Sequence, residues 1–385
     1  MSAWRLICDE GASAAEGLAA DEALMLRYGR GEQTESPAAL RLYTYRSHCA
    51  LVGRYQSLED EVDLDACREL GFDVGRRPTG GGAIVMGAGQ LGVALTTRVP
   101  AQEPPREVLR RYADGVIAGL ARLGIEASFR SKNDLECGGR KIAGLGLHRD
   151  DRGALLFHTS LLADLDVPLM LRVLRIPGAK LSDKAVARVS ERVTTVSAQL
   201  GRPVSGAELR PALRDGFAEA LGIELVDSEL DSAELQRRDE LVRTCYASER
   251  WLRQRSPLRD GRASALLKTR EGLVRVYVGV HGDAIKSALI AGDFNVLPPG
   301  ITGLEASLRW CAADRERIAA LVAQSGCDEQ LGVPAGTLAD AIWEATGTAL
   351  QREHAAHPAR AEGSCYFPDD DGAASEPAPD LVEAQ

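Results

Sequence analysis

Two adjacent arginines, Arg76 and Arg77, stand before a Pro-Thr turn and the triplet Gly80, Gly81 and Gly82. Residues without side chains let a backbone turn sharply and come close to a ligand. Their N–H groups can face an anion while the guanidinium forks meet phosphate or carboxylate. A short apolar run, Ala83, Ile84, Val85 and Met86, follows. No Gly-Lys-Ser/Thr comes after the loop, and its spacing does not fit a dinucleotide fingerprint, so neither of those phosphate-binding classes applies. On its own the loop reads equally well as a Gly-rich hairpin bend beside a solvated arginine pair.

A second stretch, residues 132–147, reads KNDLECGGRKIAGLGL. Asn133 and Asp134 offer oxygens suited to Mg²⁺ or to a ribose and phosphate shell. Lys141 follows a Gly-Gly-Arg turn, and Gly144 and Gly146 keep the next strand slim enough for a large ligand to lie against it. An ammonium there can sit between a carboxylate and an α-phosphate and stabilise charge as the two join. Only six of the 46 basic residues are lysine, so a lysine among glycines asks for a reason why arginine would not serve. The alternative is a β-hairpin with an exposed lysine at its tip. His158 lies in the apolar run 154–163, where a strand histidine satisfied by a neighbouring carbonyl competes with any direct role.

These residues need strands and turns to carry them. Residues 40–45, 50–53, 71–74, 90–97, 126–129, 135–147 and 154–163 read as strands, and 13–30, 57–70, 105–123, 165–174, 183–190 and 204–221 as helices. Mixed short strands and helices without strict alternation favour an α+β fold. A second unit is expected from residue 224, with a helix over 229–248, strands at 262–268, 273–280 and 284–290, and helices at 304–311, 315–325 and 336–345. The expected domains are therefore 1–223 and 224–350, followed by an acidic Pro/Ala/Ser tail over 351–385 expected to be disordered.

A chain of 385 residues is long enough for two or three cores. Its net charge of -10 argues against a general nucleic-acid binder. No apolar run approaches a membrane span, and the N-terminus lacks a signal pattern. Eight scattered cysteines without a CxxC pair then read as reduced thiols in the cytoplasm.

RRPTGGGAIV (76–85), KNDL (132–135), GRKIAGLG (139–146) and HTSLLADLD (158–166) occur in that order, and together they resemble lipoate–protein ligase and its relatives, the biotin ligases and octanoyltransferases. KLSDKAVARVSERVTTV (180–196) is similar to the segment closing that family's catalytic domain. The region after residue 224 is similar to the small α+β accessory domain that many such ligases carry. The resemblance implies a biotin/lipoate-ligase-like catalytic domain of mixed sheets flanked by helices. It also implies activation of lipoate with ATP and Mg²⁺ to lipoyl-AMP, then transfer to a lysine of a lipoyl-domain protein. That acceptor would be a 2-oxoacid dehydrogenase subunit, a glycine-cleavage carrier or a specialised lipoate-binding protein. In this reading Lys141 is the catalytic lysine, stabilising charge in both half-reactions. Arg77 and the segment Gly80–Val85 bind ATP and lipoate, Arg76 assists on phosphate, and Gly144 keeps the strand slim. Asn133 and Asp134 serve the nucleotide and magnesium side, with Asp134 as the metal ligand. His158 lies near the acyl pocket, whose apolar lining would include Ile84, Leu145 and Leu161.

Two positions depart from the ligase pattern. Met86 and Gly87 stand where a histidine and an aspartate are usual, so head-group recognition differs. The alternative reading is an octanoyl or lipoyl transferase that takes the acyl group from a carrier protein without ATP, through a cysteine nucleophile. One transferase subfamily carries that cysteine where this chain has Glu126, and Cys137 is the thiol nearest Lys141 in sequence. A third reading is a non-catalytic lipoyl-domain binder, against which stand the arginine pair, Asn133, Asp134 and Lys141.

Overall fold

Helix Ala14–Gly29 starts on a reciprocal cap: Glu16 N donates to Ser13 Oγ at 3.3 Å, and Ser13 N donates to a Glu16 carboxylate oxygen at 2.8 Å. It lies on an eight-stranded sheet. The computed structural model describes residues 3–29, 36–100, 102–130, 133–177, 182–258, 263–269 and 272–356. The expected acidic tail lies almost wholly outside them, as do residues 180 and 181 of the segment 180–196.

The strands are β1 (Ala3–Ala12), β2 (Ala38–Tyr45), β3 (Cys49–Val52), β4 (Asp73–Arg76), β5 (Ile84–Met86), β6 (Gln90–Arg98) and β7 (Ser128–Phe129). Then come β8 (Asp134–Cys137), β9 (Arg140–Arg149), β10 (Ala154–Leu162), β11 (Glu224–Ser228), β12 (Ala263–Lys268), β13 (Leu273–His281) and β14 (Ala284–Gly292). The main sheet runs β11-β1-β2-β6-β10-β9-β8-β7, a small second sheet β4-β3-β5, and a third β12-β13-β14. β1 pairs in parallel with β11 and β2, and the rest of the main sheet is antiparallel. The architecture is α+β with mixed sheets flanked by helices.

β6 is buried along all but its last residue because helices cover both faces. Leu91, Val93 and Leu95 pack with Val116, Leu120 and Phe217 of helices Pro105–Ala121 and Arg210–Leu221. Ala94 and Leu156 pack on the opposite face with Leu18 and Met25 of the first helix. A separate core joins Val276, Ile285, Ile301, Leu338 and Ile342 in the C-terminal unit.

Several expected elements change under tertiary constraints. The helix expected over 57–70 is two helices, Leu58–Glu61 and Leu64–Leu70, because Val62 bridges Leu174 between them and Asp63 caps the second by accepting from Ala66 N. The helix expected over 229–248 stops at Leu241 and passes into a π-turn, Val242–Tyr246. The helix expected over 336–345 instead spans Ala335–Ala356. β1 is not expected from the sequence; Arg5 stays in the strand while its side chain pairs with Glu234 at 2.5 Å. The segment Glu224–Ser228, expected to open the second unit, extends the main sheet as β11. β1 needs a partner for the N–H and C=O groups on its outer edge, and β11 supplies one.

Candidate active site

β4 and β5 flank β3, and the glycine triplet between them shares a cavity with residues of β2, β9 and β10 of the main sheet. Arg77 shapes that loop from beneath. Its guanidinium is buried and donates to Leu51 O at 2.7 Å, Gly82 O at 2.8 Å and Gly80 O at 3.2 Å. Burial holds its pKa down at about 10, still cationic at neutral pH. Arg76 does not reach the cavity, contrary to its expected place on phosphate. It is fully buried and spends its donors on the carbonyls of Gly53, Arg54, Gln56 and Leu252 at 2.6–3.0 Å. A guanidinium saturated by backbone carbonyls is a structural clamp.

Lys141 sits at the start of β9, and the segment 192–194, which follows helix Asp183–Ser190, pins its backbone. Lys141 N donates to Arg192 O at 2.9 Å, and Thr194 N donates to Lys141 O at 2.8 Å. Its Nζ lies 2.7 Å from Asp134 Oδ1, with both side chains about one-third exposed. Asn133 Nδ2 donates to Leu145 O at 3.1 Å, which ties the KNDL stretch to β9. Asp134 is thus engaged by an ammonium, and among the described residues no three acidic, His or Cys side chains gather as a metal site. The donor set does not fit the expected magnesium ligand, because a single carboxylate already paired with a lysine is a poor Mg²⁺ anchor.

Gly146 faces His158 across the β9–β10 ladder. A Cβ on Gly146 would stand 2.4 Å from His158 Nε2, so only glycine leaves room for the imidazole. His158 Nε2 shares a 2.7 Å hydrogen bond with Thr79 Oγ1. Burial first, and then the nearby Arg77, hold its pKa down at about 3, so the ring is neutral at physiological pH.

Two adjoining cavities meet at Lys141. The first is lined by Arg77, Gly80–Gly82, Ile84, Met86, Asn133, Lys141, Gly144 and His158. Leu18 and Tyr45 also line it, although nothing in their sequence surroundings signals a site. The second is more apolar and shares Gly82, Ile84, Lys141, Gly144 and Ser160 with the first. It continues past Ala83, Val85, Leu162, Met170 and Ile176, and is closed on one side by Leu273 and Asp293 of the C-terminal unit. The structure therefore gathers the expected site residues at these cavities except Arg76 and Leu161, with Asp134 present through its contact to Lys141. Leu161, expected in the acyl lining, instead packs in the core under helix Pro105–Ala121, on the other face of β10. Cys137 packs in that same core. None of the seven described cysteines lines either cavity.

A family model for the lipoyl protein ligase A/B catalytic domain matches residues 13–218. The octanoyltransferase LipM of Symbiobacterium thermophilum is 36% identical over 275 residues, covering 64% of this chain and 97% of the relative. LipM of Kyrpidia tusciae is 31% identical over 277 residues, covering 65% and 98%. Among solved structures, the bipartite lipoate protein ligase of Thermoplasma acidophilum, described together with its E2 lipoyl domain, superposes with a TM-score of 0.59. It is 29% identical and covers 65% of this chain and 96% of its own. The expectation of an ATP-driven lipoate ligase is overturned by the two sequence relatives, which are octanoyltransferases. ATP is a ligand of one structural neighbour, a lipoate-protein ligase A solved with ATP bound, 27% identical with a TM-score of 0.57 and covering 66% of this chain and 98% of its own.

Proposed function

Because the chain belongs to the lipoyl protein ligase A/B catalytic-domain family and is an enzyme of that ligase and transferase group, we propose that it is an octanoyltransferase. It moves an octanoyl group from the thioester of a carrier protein to a lysine amine of a lipoyl-domain protein. The observation that carries this reading is the placement of Lys141 where two cavities meet, one of them apolar enough for an eight-carbon chain.

In this reading the acyl chain lies against Ile84 and the slim β9 strand at Gly144, with its carbonyl at Lys141 Nζ. The acceptor amine attacks the thioester carbonyl, a C–N bond forms and the C–S bond breaks. A proton from the amine ends on the departing thiolate. The Lys141 ammonium stabilises the oxyanion between these steps, as a preorganised charge does in a water-poor site. Among the described residues no cysteine lines either cavity, and the step is accordingly proposed as direct transfer. Neutral His158, bonded to Thr79, keeps the far wall of the cavity in place. The compartment in this reading is the cytoplasm, in keeping with seven described cysteines that are all free. Among the described residues no helix is long and apolar enough to cross a membrane.

The test is mass spectrometry of a lipoyl domain incubated with octanoyl carrier protein and the full chain, without nucleotide. The expected result is one octanoyl addition on a single lysine, lost with Lys141→Ala. Modification that appears only with free acid and ATP overturns the proposal.

A further inference from the structure

The family match ends at residue 218, and the octanoyltransferase relatives cover only 64–65% of the chain. The turn after β14, in the C-terminal unit beyond that match, is nevertheless seated on the glycine triplet. Gly81 N donates to Phe294 O at 3.0 Å. A Cβ on Gly80 would stand 1.8 Å from the same oxygen and 2.7 Å from Asn295 Cα, so the two backbones are in direct contact. Asp293 anchors the turn from both sides. One carboxylate oxygen accepts from Gln56 Nε2 at 2.7 Å, and the other from Leu273 N at 3.2 Å. Gln56 in turn accepts from Gly53 N at 2.8 Å, and Gly292 N donates to Tyr55 O at 2.9 Å. Asp293 is also a wall of the cavity that holds Lys141.

A triplet of glycines has the largest backbone freedom to lose, and Gly81 is held at φ +89°. Arg77 restrains the triplet through the carbonyls of Gly80 and Gly82, leaving the Gly81 N–H for a partner outside the catalytic fold. We propose that Asp293, Phe294 and Asn295 form a positioning turn for the Lys141 site, with Asp293 as its key side chain. The C-terminal unit is on this account part of the site, and its removal would leave the triplet unrestrained on one side. Asp293 acts through the loop and is not assigned a chemical step. The activity readout below rests on the acyl-transfer reading, whereas the exchange readout does not.

The experiment compares full-length wild type, Asp293→Ala and Asp293→Asn, the last of which retains one acceptor oxygen. Hydrogen exchange of the 80–82 amides is measured without substrate, alongside kcat and KM for octanoyl transfer. In Asp293→Ala, exchange accelerates about tenfold and kcat falls about tenfold, the weight of one hydrogen bond to a charged group. KM for the acceptor stays the same, and Asp293→Asn recovers part of both losses. Unchanged exchange overturns the proposal, and so does accelerated exchange with an unaltered kcat. If the wild type transfers no octanoyl group, the functional reading fails separately, and exchange alone then decides whether Asp293 positions the loop. Should Asp293→Ala not fold, the Asp293→Asn comparison carries the same two outcomes.

Discussion

Lys141 Nζ and Asp134 Oδ1 lie 2.7 Å apart at the junction of the two cavities, joined across the β8–β9 hairpin. The pair is about one-third exposed, so solvent screens it and its contribution to folding is small. Lys141→Ala is therefore expected to leave the melting midpoint nearly unchanged. Loss of an oxyanion-stabilising charge lowers kcat by about 10²–10³. Asp134→Asn, which frees the ammonium but keeps it, has a milder effect. Steady-state transfer rates and thermal melts of both variants check this.

The contact between Gly146 and His158 predicts a steric result. A methyl group at 146 meets the imidazole at 2.4 Å and must displace it from Thr79. Gly146→Ala is expected to destabilise the fold by about 1–3 kcal/mol, as overpacked interiors do. Denaturant unfolding measures the loss. A second change, His158→Ala, removes the obstructing ring and relieves the clash.

Two groups titrate in opposite senses between acid and neutral pH. The folded state holds His158 at about 3 against an ordinary 6.5, so within that window the unfolded chain binds more protons. Its contribution is present above pH 6.5 and is lost as pH falls toward 3. Glu61, buried beside Arg275, is raised from 4.5 to about 7, so its contribution is present below 4.5 and is lost as pH rises through 7. The two slopes oppose each other in the wild type. Relative to the wild type, His158→Gln should lower the slope of stability against pH over about 4.5–6.5, and Glu61→Gln should raise it. Urea unfolding at several pH values reads both differences.

Beneath the cavity, Arg41 is fully buried between Asp21 at 2.6 Å and Asp9 at 2.7 Å, and Tyr43, a cavity-lining residue, donates to Asp21 at 3.0 Å. Removing one partner of a buried pair leaves an unpaired charge. Arg41→Met is expected to lose about 3–5 kcal/mol. The double variant Arg41→Met with Asp21→Asn recovers part of it. Chemical denaturation of the single and double variants tests this.

That the glycine triplet, Asn133 and Lys141 belong together was legible in the sequence through the ordered stretches that resemble one family, and the structure lines one cavity with them. Each carries a local signal: side-chain-free backbone, a lysine among glycines, or a strand kept slim. The α+β class was legible for the same reason, since short periods and turn residues act over a few positions. Substrate choice between a nucleotide-activated acid and a thioester was not legible there, because the residues that hold an acyl chain are shared by both chemistries. Only the tertiary structure distinguished Arg76 from Arg77, adjacent in sequence, by wrapping the first in four backbone carbonyls and turning the second toward the triplet. It also joined β11 to β1 and set Phe294 against Gly81, pairings 221 and 213 residues apart for Ala3–Glu224 and Gly81–Phe294. No local pattern encodes such contacts. They follow from satisfying edge hydrogen bonds and close packing once the whole chain has condensed.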